Sequence, residues 1–190
     1  MPRLLKKEAA ELLEGSIECY SLALIGGLLN SLRTDVSESA RFAPVIGLIG
    51  SSFELLCKSI LVQSKGKKSV TYEDGRYKYG NEIIDTISSL VRARDSSLEF
   101  LYPEKDKCEA IFRKIDGLLK KARLVSSRRA DGLHAGRGPS EDSTNIIMGD
   151  LFSLFTVVGS CRKYSKSLKR LPCPKAPRIS REALLEDLTE

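Results

Sequence analysis

The chain of 190 residues is long enough for one sizeable hydrophobic core, and its length does not require a second domain. Apolar residues make up 42% and charged residues 29%, which excludes a disordered chain. A net charge of +6 permits a polyanionic partner without demanding one.

Aromatics are sparse and Trp is absent, so the core must rest mainly on Leu, Ile and Val. The five cysteines (Cys19, Cys57, Cys108, Cys161, Cys173) are odd in number, widely spaced and without a Cys-x2-Cys pair. With one histidine in the chain, neither disulfides nor a zinc site is expected, and no metal or other cofactor. The thiols read as small reduced hydrophobes in a cytoplasmic protein. Met1 to Glu8 lacks an apolar signal core, and the most apolar run, Leu22 to Leu29, is far short of a bilayer span. A soluble protein with no membrane partner is the expectation.

In chain order, Leu5, Ala9, Leu12, Leu13, Ile17, Tyr20, Leu24, Leu28 and Leu32 recur at steps of three and four, predicting one long amphipathic helix. Gly26-Gly27 should kink it or admit a close neighbour. A second stripe, Phe42, Val45, Ile46, Ile49, Phe53, Leu56 and Ile60, predicts another helix, with Ser37 or Ser39 as its cap and Pro44 in its first turn. Within it Glu54 and Lys58 are spaced for an ion pair, and Gly47 and Gly50 ease helix packing.

Ser64 to Gly80 has no helical stripe and reads as an exposed loop with a short hairpin around Asp74-Gly75. A shorter helix follows through Ile83, Ile84, Ile87, Leu90 and Val91. After Pro103 a further helix runs through Cys108, Ile111, Phe112, Ile115, Leu118, Leu119 and Ala122. The turn cluster from Ala135 to Ser140 leads to a last core helix, capped by Ser140, with the stripe Ile147, Leu151, Leu154, Phe155, Val158 and Cys161. Three prolines between Leu171 and Pro177 break the helix. Ser180 opens a short amphipathic tail with Leu184, Leu185 and Leu188.

The predicted fold is all-α: an up-and-down bundle of four to five helices with a loop insertion and a short C-terminal helix. Residues 1–170 form the bundle, and 171–190 a Pro-rich linker with a docking helix.

Candidate chemistry lies in Ser126-Ser-Arg-Arg-Ala-Asp-Gly-Leu-His. On a continuous helix Arg129 and His134 would stand about 140° apart, and Arg128 and His134 about 120°. Geometry therefore does not choose between the arginines. RNA is cleaved without metal when a base takes the 2′-hydroxyl proton and a cation holds the phosphate. Imidazole and guanidinium suit those tasks. A two-fold dimer would supply the second imidazole that a single-histidine chain lacks. Between Lys105 and Arg137 ten Lys or Arg stand against four acids, a run that is either a polyanion-binding face or a solvated one.

The motif and its place resemble those of the HEPN superfamily, helical bundles that carry Arg-x4-6-His near the start of the last core helix. Ser52 to Val62 also looks like that family's second helix, where an acidic residue often faces the motif. One departure is Ala130, which follows Arg129 where family nucleases commonly have a polar residue.

The resemblance implies a metal-independent, homodimeric endoribonuclease of a toxin–antitoxin, stress or antiviral defence system. His134 with Arg129 or Arg128 would be the catalytic pair and Glu54 a support that orients the arginine. Lys120, Lys121, Arg123 and Arg137 would hold RNA, and the products would be a 2′,3′-cyclic phosphate and a 5′-hydroxyl. An antitoxin or other protein would be a partner. The competing expectation is a non-catalytic helical adaptor or a nucleic-acid binder with the same bundle.

Overall fold

A computed structural model describes residues 5–101, 112–121, 138–160 and 164. They form an all-α, up-and-down bundle. Helix α1 spans Lys7–Ser31, α2 Glu38–Lys65, α3 Gly80–Arg92, α4 residues 112–121 and α5 Glu141–Ser160. Short 3-10 turns occupy Lys67–Ser69 and Ser96–Leu101.

Helices α1 and α2 are an antiparallel pair and the backbone of the bundle. Small polar residues let them approach. Ser16 Oγ donates to the Ser52 carbonyl at 2.7 Å, and Ser52 Oγ donates to the Ser16 carbonyl at the same distance. Ser59 Oγ reaches the Ala9 carbonyl at 2.6 Å. Each buried hydroxyl thus has a partner, which removes the penalty of desolvating it. At the open end of the pair, the Lys6 N–H donates to Gln63 Oε1 at 2.9 Å. At the turn, the Arg41 guanidinium donates to the carbonyls of Asn30 and Arg33. That placement satisfies carbonyls at the end of α1 and sets a cation at the negative pole of its dipole.

The predicted α2 stripe is the centre of the core: Phe42, Val45, Ile46, Ile49, Phe53, Leu56 and Ile60 are all buried. Ile83, Ile84, Ile87 and Val91 of α3 are buried too, as are Ile115, Leu118 and Leu119 of α4 and Leu151, Leu154 and Val158 of α5. Tyr164, fully buried, stacks on Phe100 with ring centroids 6.1 Å apart and shares a hydrogen bond with Ser59.

Three local expectations are corrected. Ser37 occupies the N-cap of α2 without a side-chain capping bond, and the Ser39 hydroxyl instead donates to the Gly138 carbonyl at 2.9 Å. Pro44 lies inside α2 rather than in its first turn, because the helix starts at Glu38. The third correction concerns α1. Its core face passes through Ala9, Leu13, Ser16, Ile17, Tyr20, Ala23 and Gly27, while Leu28 on the predicted stripe is 46% exposed. A Cβ on Gly27 would sit 3.5 Å from the Met148 methyl, and one on Gly26 3.5 Å from Val45 Cγ2. The glycine pair admits neighbours without breaking the helix.

The loop after α2 folds as expected for a small hairpin. Thr71 pairs with Tyr77, Tyr72 N–H donates to Arg76 O at 2.8 Å, and Gly75 takes φ +83 at the turn. Ser140 caps α5: its hydroxyl accepts the Ser143 N–H at 3.3 Å. Cys108, Cys161 and Cys173, and the tail from Leu171 onward, lie outside the described residues.

Candidate functional site

His134, Arg128 and Arg129, together with Arg123 and Arg137, lie outside the described residues. Three of the expected site residues, Glu54, Lys120 and Lys121, are placed.

Glu54 sits in the inner half of α2, where a carboxylate would be costly alone. Lys58, one turn later, meets it at 2.5 Å, and the two side chains are only 14% and 8% exposed. The Lys58 ammonium also lies 5.0 Å from the centre of the Tyr77 ring, so the hairpin covers the ion pair. The neighbouring thiol registers this environment: burial, reinforced by the Glu54 charge, pushes Cys57 up to about 12. A nucleophilic role for that thiol is thereby excluded near neutrality. The expected Glu54–Lys58 pair is present.

The lysines of α4 are each matched to a carboxylate. Lys120 meets Asp116 at 2.8 Å within the helix, and Lys121 reaches Asp150 on α5 at 3.0 Å. Both ammonium groups remain well exposed, but the local charge at these two positions is balanced rather than strongly positive.

Two surface features stand out among the described residues. One is an open groove of about 580 Å³ on the hairpin, lined by Tyr72, Glu73, Asp74, Arg76 and Tyr79. Tyr72 and Tyr79 meet edge to face, Tyr72 donates to Glu82 at 2.6 Å, and Arg76 pairs with Asp74. The bond to Glu82 raises the Tyr72 phenol above its ordinary range. Two acids against one arginine make this groove a poor cradle for phosphate.

The other feature is apolar. On the outer side of α1, Leu22, Ile25, Leu28 and Leu29 are each between 41% and 52% exposed. Phe152 of α5 is also exposed, at 59%. It is flanked on α5 by Met148, which faces Gly27, and by Phe155, which meets Tyr20 at 5.5 Å. Residues four before and three after Phe152 therefore both touch α1, and Phe152 shares their side of the helix. Monomeric soluble proteins rarely leave such residues contiguous unless something docks there.

Sequence periodicity alone assigned Leu28 to the core and gave Leu22, Ile25 and Leu29 no role. A signal was present: from Leu22 to Leu29 α1 is apolar on every side, more than one core seam can bury. By length and composition α1 and α2 could each cross a membrane, yet the apolar window of α2 is 78% buried in the bundle and that of α1 only 33%.

No three of His, Cys, Asp and Glu come together among the described residues as metal ligands would. Compared with protein-family models, curated proteins and solved structures, the chain has no match in any of the three.

Proposed function

We propose that this protein works by binding, as a non-catalytic helical adaptor that presents the outer face of α1 to a protein surface. The observation that carries the reading is the exposed group Leu22, Ile25, Leu28 and Leu29. These side chains are about half exposed, so completing the burial of one gains roughly half of the 1.5–3 kcal/mol of a full burial before the costs of association. The flanking residues support it. Glu11, Glu14 and Glu18 are exposed on the same helix, giving the apolar face the polar rim of an interaction site.

Features favouring ribonuclease chemistry are weaker among the described residues. Lys120 and Lys121, expected to hold RNA, already face Asp116 and Asp150.

The test pairs a binding and a catalytic readout. A photo-crosslinking side chain at position 28 should give protein adducts, whereas one at exposed Lys67, on another surface, should not. Purified protein should leave mixed RNA intact in EDTA. RNA cleavage that disappears in His134→Ala would overturn the adaptor reading in favour of the HEPN-like nuclease.

A further inference from the structure

The outer stripe of α1 changes character along its length. Glu11, Glu14 and Glu18 stand in the same sector of the helix, roughly 80° wide, as Leu22, Ile25 and Leu29. All six are exposed, and Glu18 has no ion-pair partner among the described residues. From Glu18 to Leu29 the steps are four, three and four, the spacing of a seam that a second helix covers.

One other segment of the chain carries that spacing. Ser180 to Glu190, outside the described residues, reads from its sequence as a short amphipathic helix. Ser180 is a capping residue, and Ile179 and Leu184 stand at the two positions of a hydrophobic staple. Arg181, Leu185 and Leu188 follow at steps of four and three, with Leu184 beside them. Glu182, Glu186, Asp187 and Glu190 fall on the other side of such a helix. A helix this short needs a surface to pack on.

We propose that this tail helix docks on α1 of the same chain and runs parallel to it. Arg181 then lies level with Glu18, Leu185 with Leu22, and Leu188 with Ile25. One register satisfies all three pairs, because both stripes step four and then three. The charges select the direction. An antiparallel tail with Leu188 on Leu22 would set Arg181 on Leu29 and bring Glu190 toward Glu18.

The chain is long enough. Tyr164 shares a hydrogen bond with Ser59, whose hydroxyl donates to the Ala9 carbonyl. Glu18 lies about 14 Å beyond Ala9 along α1, and the chain from Tyr164 to Arg181 can span about 50 Å. A tether of this kind holds the tail over the face at roughly millimolar effective concentration, so a small apolar contact suffices to keep it there. A protein partner must then displace the tail. That competition rests on the adaptor reading, whereas the docking itself does not.

A benzophenone side chain at position 188 of the full chain tests the contact. On illumination it should link within one chain to the peptide holding residues 22–29, with a yield unchanged by dilution. R181E and E18R should each lower that yield several-fold, and E18R/R181E should restore most of it. Binding of an apolar dye gives a second reading: L184E/L188E should raise it, and adding I25E/L29E should remove the rise. Ile25 and Leu29 already stand in solvent on the bundle, so the melting temperature should not fall. The docking is overturned by a link to another part of the chain, by a link between two chains, by no link, or by dye binding that L184E/L188E leaves unchanged. Each of those results leaves the adaptor reading intact, since that reading is decided by foreign-protein adducts of position 28 and by the RNA assay.

Discussion

Gly138 and Ser39, 99 positions apart in the chain, are joined by a reciprocal backbone and side-chain clasp. The Gly138 N–H donates to the Ser39 carbonyl at 2.7 Å, and the Ser39 hydroxyl donates to the Gly138 carbonyl at 2.9 Å. Three residues on, the Glu141 N–H at the start of α5 donates to the Glu38 carboxylate at 2.6 Å. The N-termini of α2 and α5 are thus tied together at the point where the chain leaves the Arg-x4-His segment. This closeness requires glycine, because a Cβ at position 138 would fall 2.4 Å from the Ala43 nitrogen and 2.6 Å from the Phe42 carbonyl carbon.

Gly138→Ala is accordingly expected to destabilise the bundle by about 2–4 kcal/mol, since backbone rather than a flexible side chain must yield. Ser39→Ala removes hydrogen bonds without introducing a clash and should cost about 1 kcal/mol. Urea unfolding of both variants checks the order. A G138A protein as stable as wild type would show that the clasp is not as close as described.

Gly149 offers the opposite case. It lies in the interior of α5, exposed, and a Cβ there would meet nothing within 4 Å. Gly149→Ala should raise stability by about 0.5–1 kcal/mol through the restricted unfolded backbone. Denaturant midpoints with an unchanged slope would confirm it.

The Glu54–Lys58 pair is buried enough for its two halves to be unequal partners when one is removed. Lys58→Ala removes a cation held against a carboxylate of low exposure and should destabilise the fold more than replacing both residues with leucine does. Equal losses in K58A and the double variant would contradict the burial argument. In the wild type Cys57 should resist alkylation at pH 8 and react on unfolding, as its buried thiol holds its proton to about 12.

Acid stability should report Asp95. Ser97, whose N–H donates to the carboxylate at 2.8 Å, and Lys65, which reaches it at 3.0 Å, hold its carboxyl down at about 2. The folded value is below the ordinary carboxylate range, so the bound, ionised form stabilises the native state above about pH 4. That contribution is lost as pH falls toward 2. Wild type should therefore exceed D95N in melting temperature near neutrality, and the two should converge as pH drops through the window from 4 to 2. A constant offset across it would assign the effect of the substitution to something other than ionisation.

The helices of this protein were legible because their signal is local. In α2 the stripe from Phe42 to Ile60 is dense enough that every member is buried, and Ser140 caps α5 as its residue type suggests. Even the turn at Asp74-Gly75 follows from neighbouring residues. The outer face of α1 was not legible in the same way. Its leucines satisfy a helical stripe on more than one side, and only the positions of α2 and α5 decide which side becomes core. The decision goes to the side through Leu13, Ser16, Tyr20, Ala23 and Gly27, which packs on α2 and α5. The larger Leu22, Ile25 and Leu29 are left outside.

Periodicity thus determined that the chain is helical and roughly where each helix lies, since hydrogen bonding and side-chain spacing within a helix are properties of contiguous residues. Tertiary packing alone decided that Tyr77 covers the Glu54–Lys58 pair, that Gly138 clasps Ser39, and that Leu22, Ile25 and Leu29 of α1 stay exposed. These are contacts between segments distant in the chain, or the absence of such contacts, and close packing in three dimensions settles them.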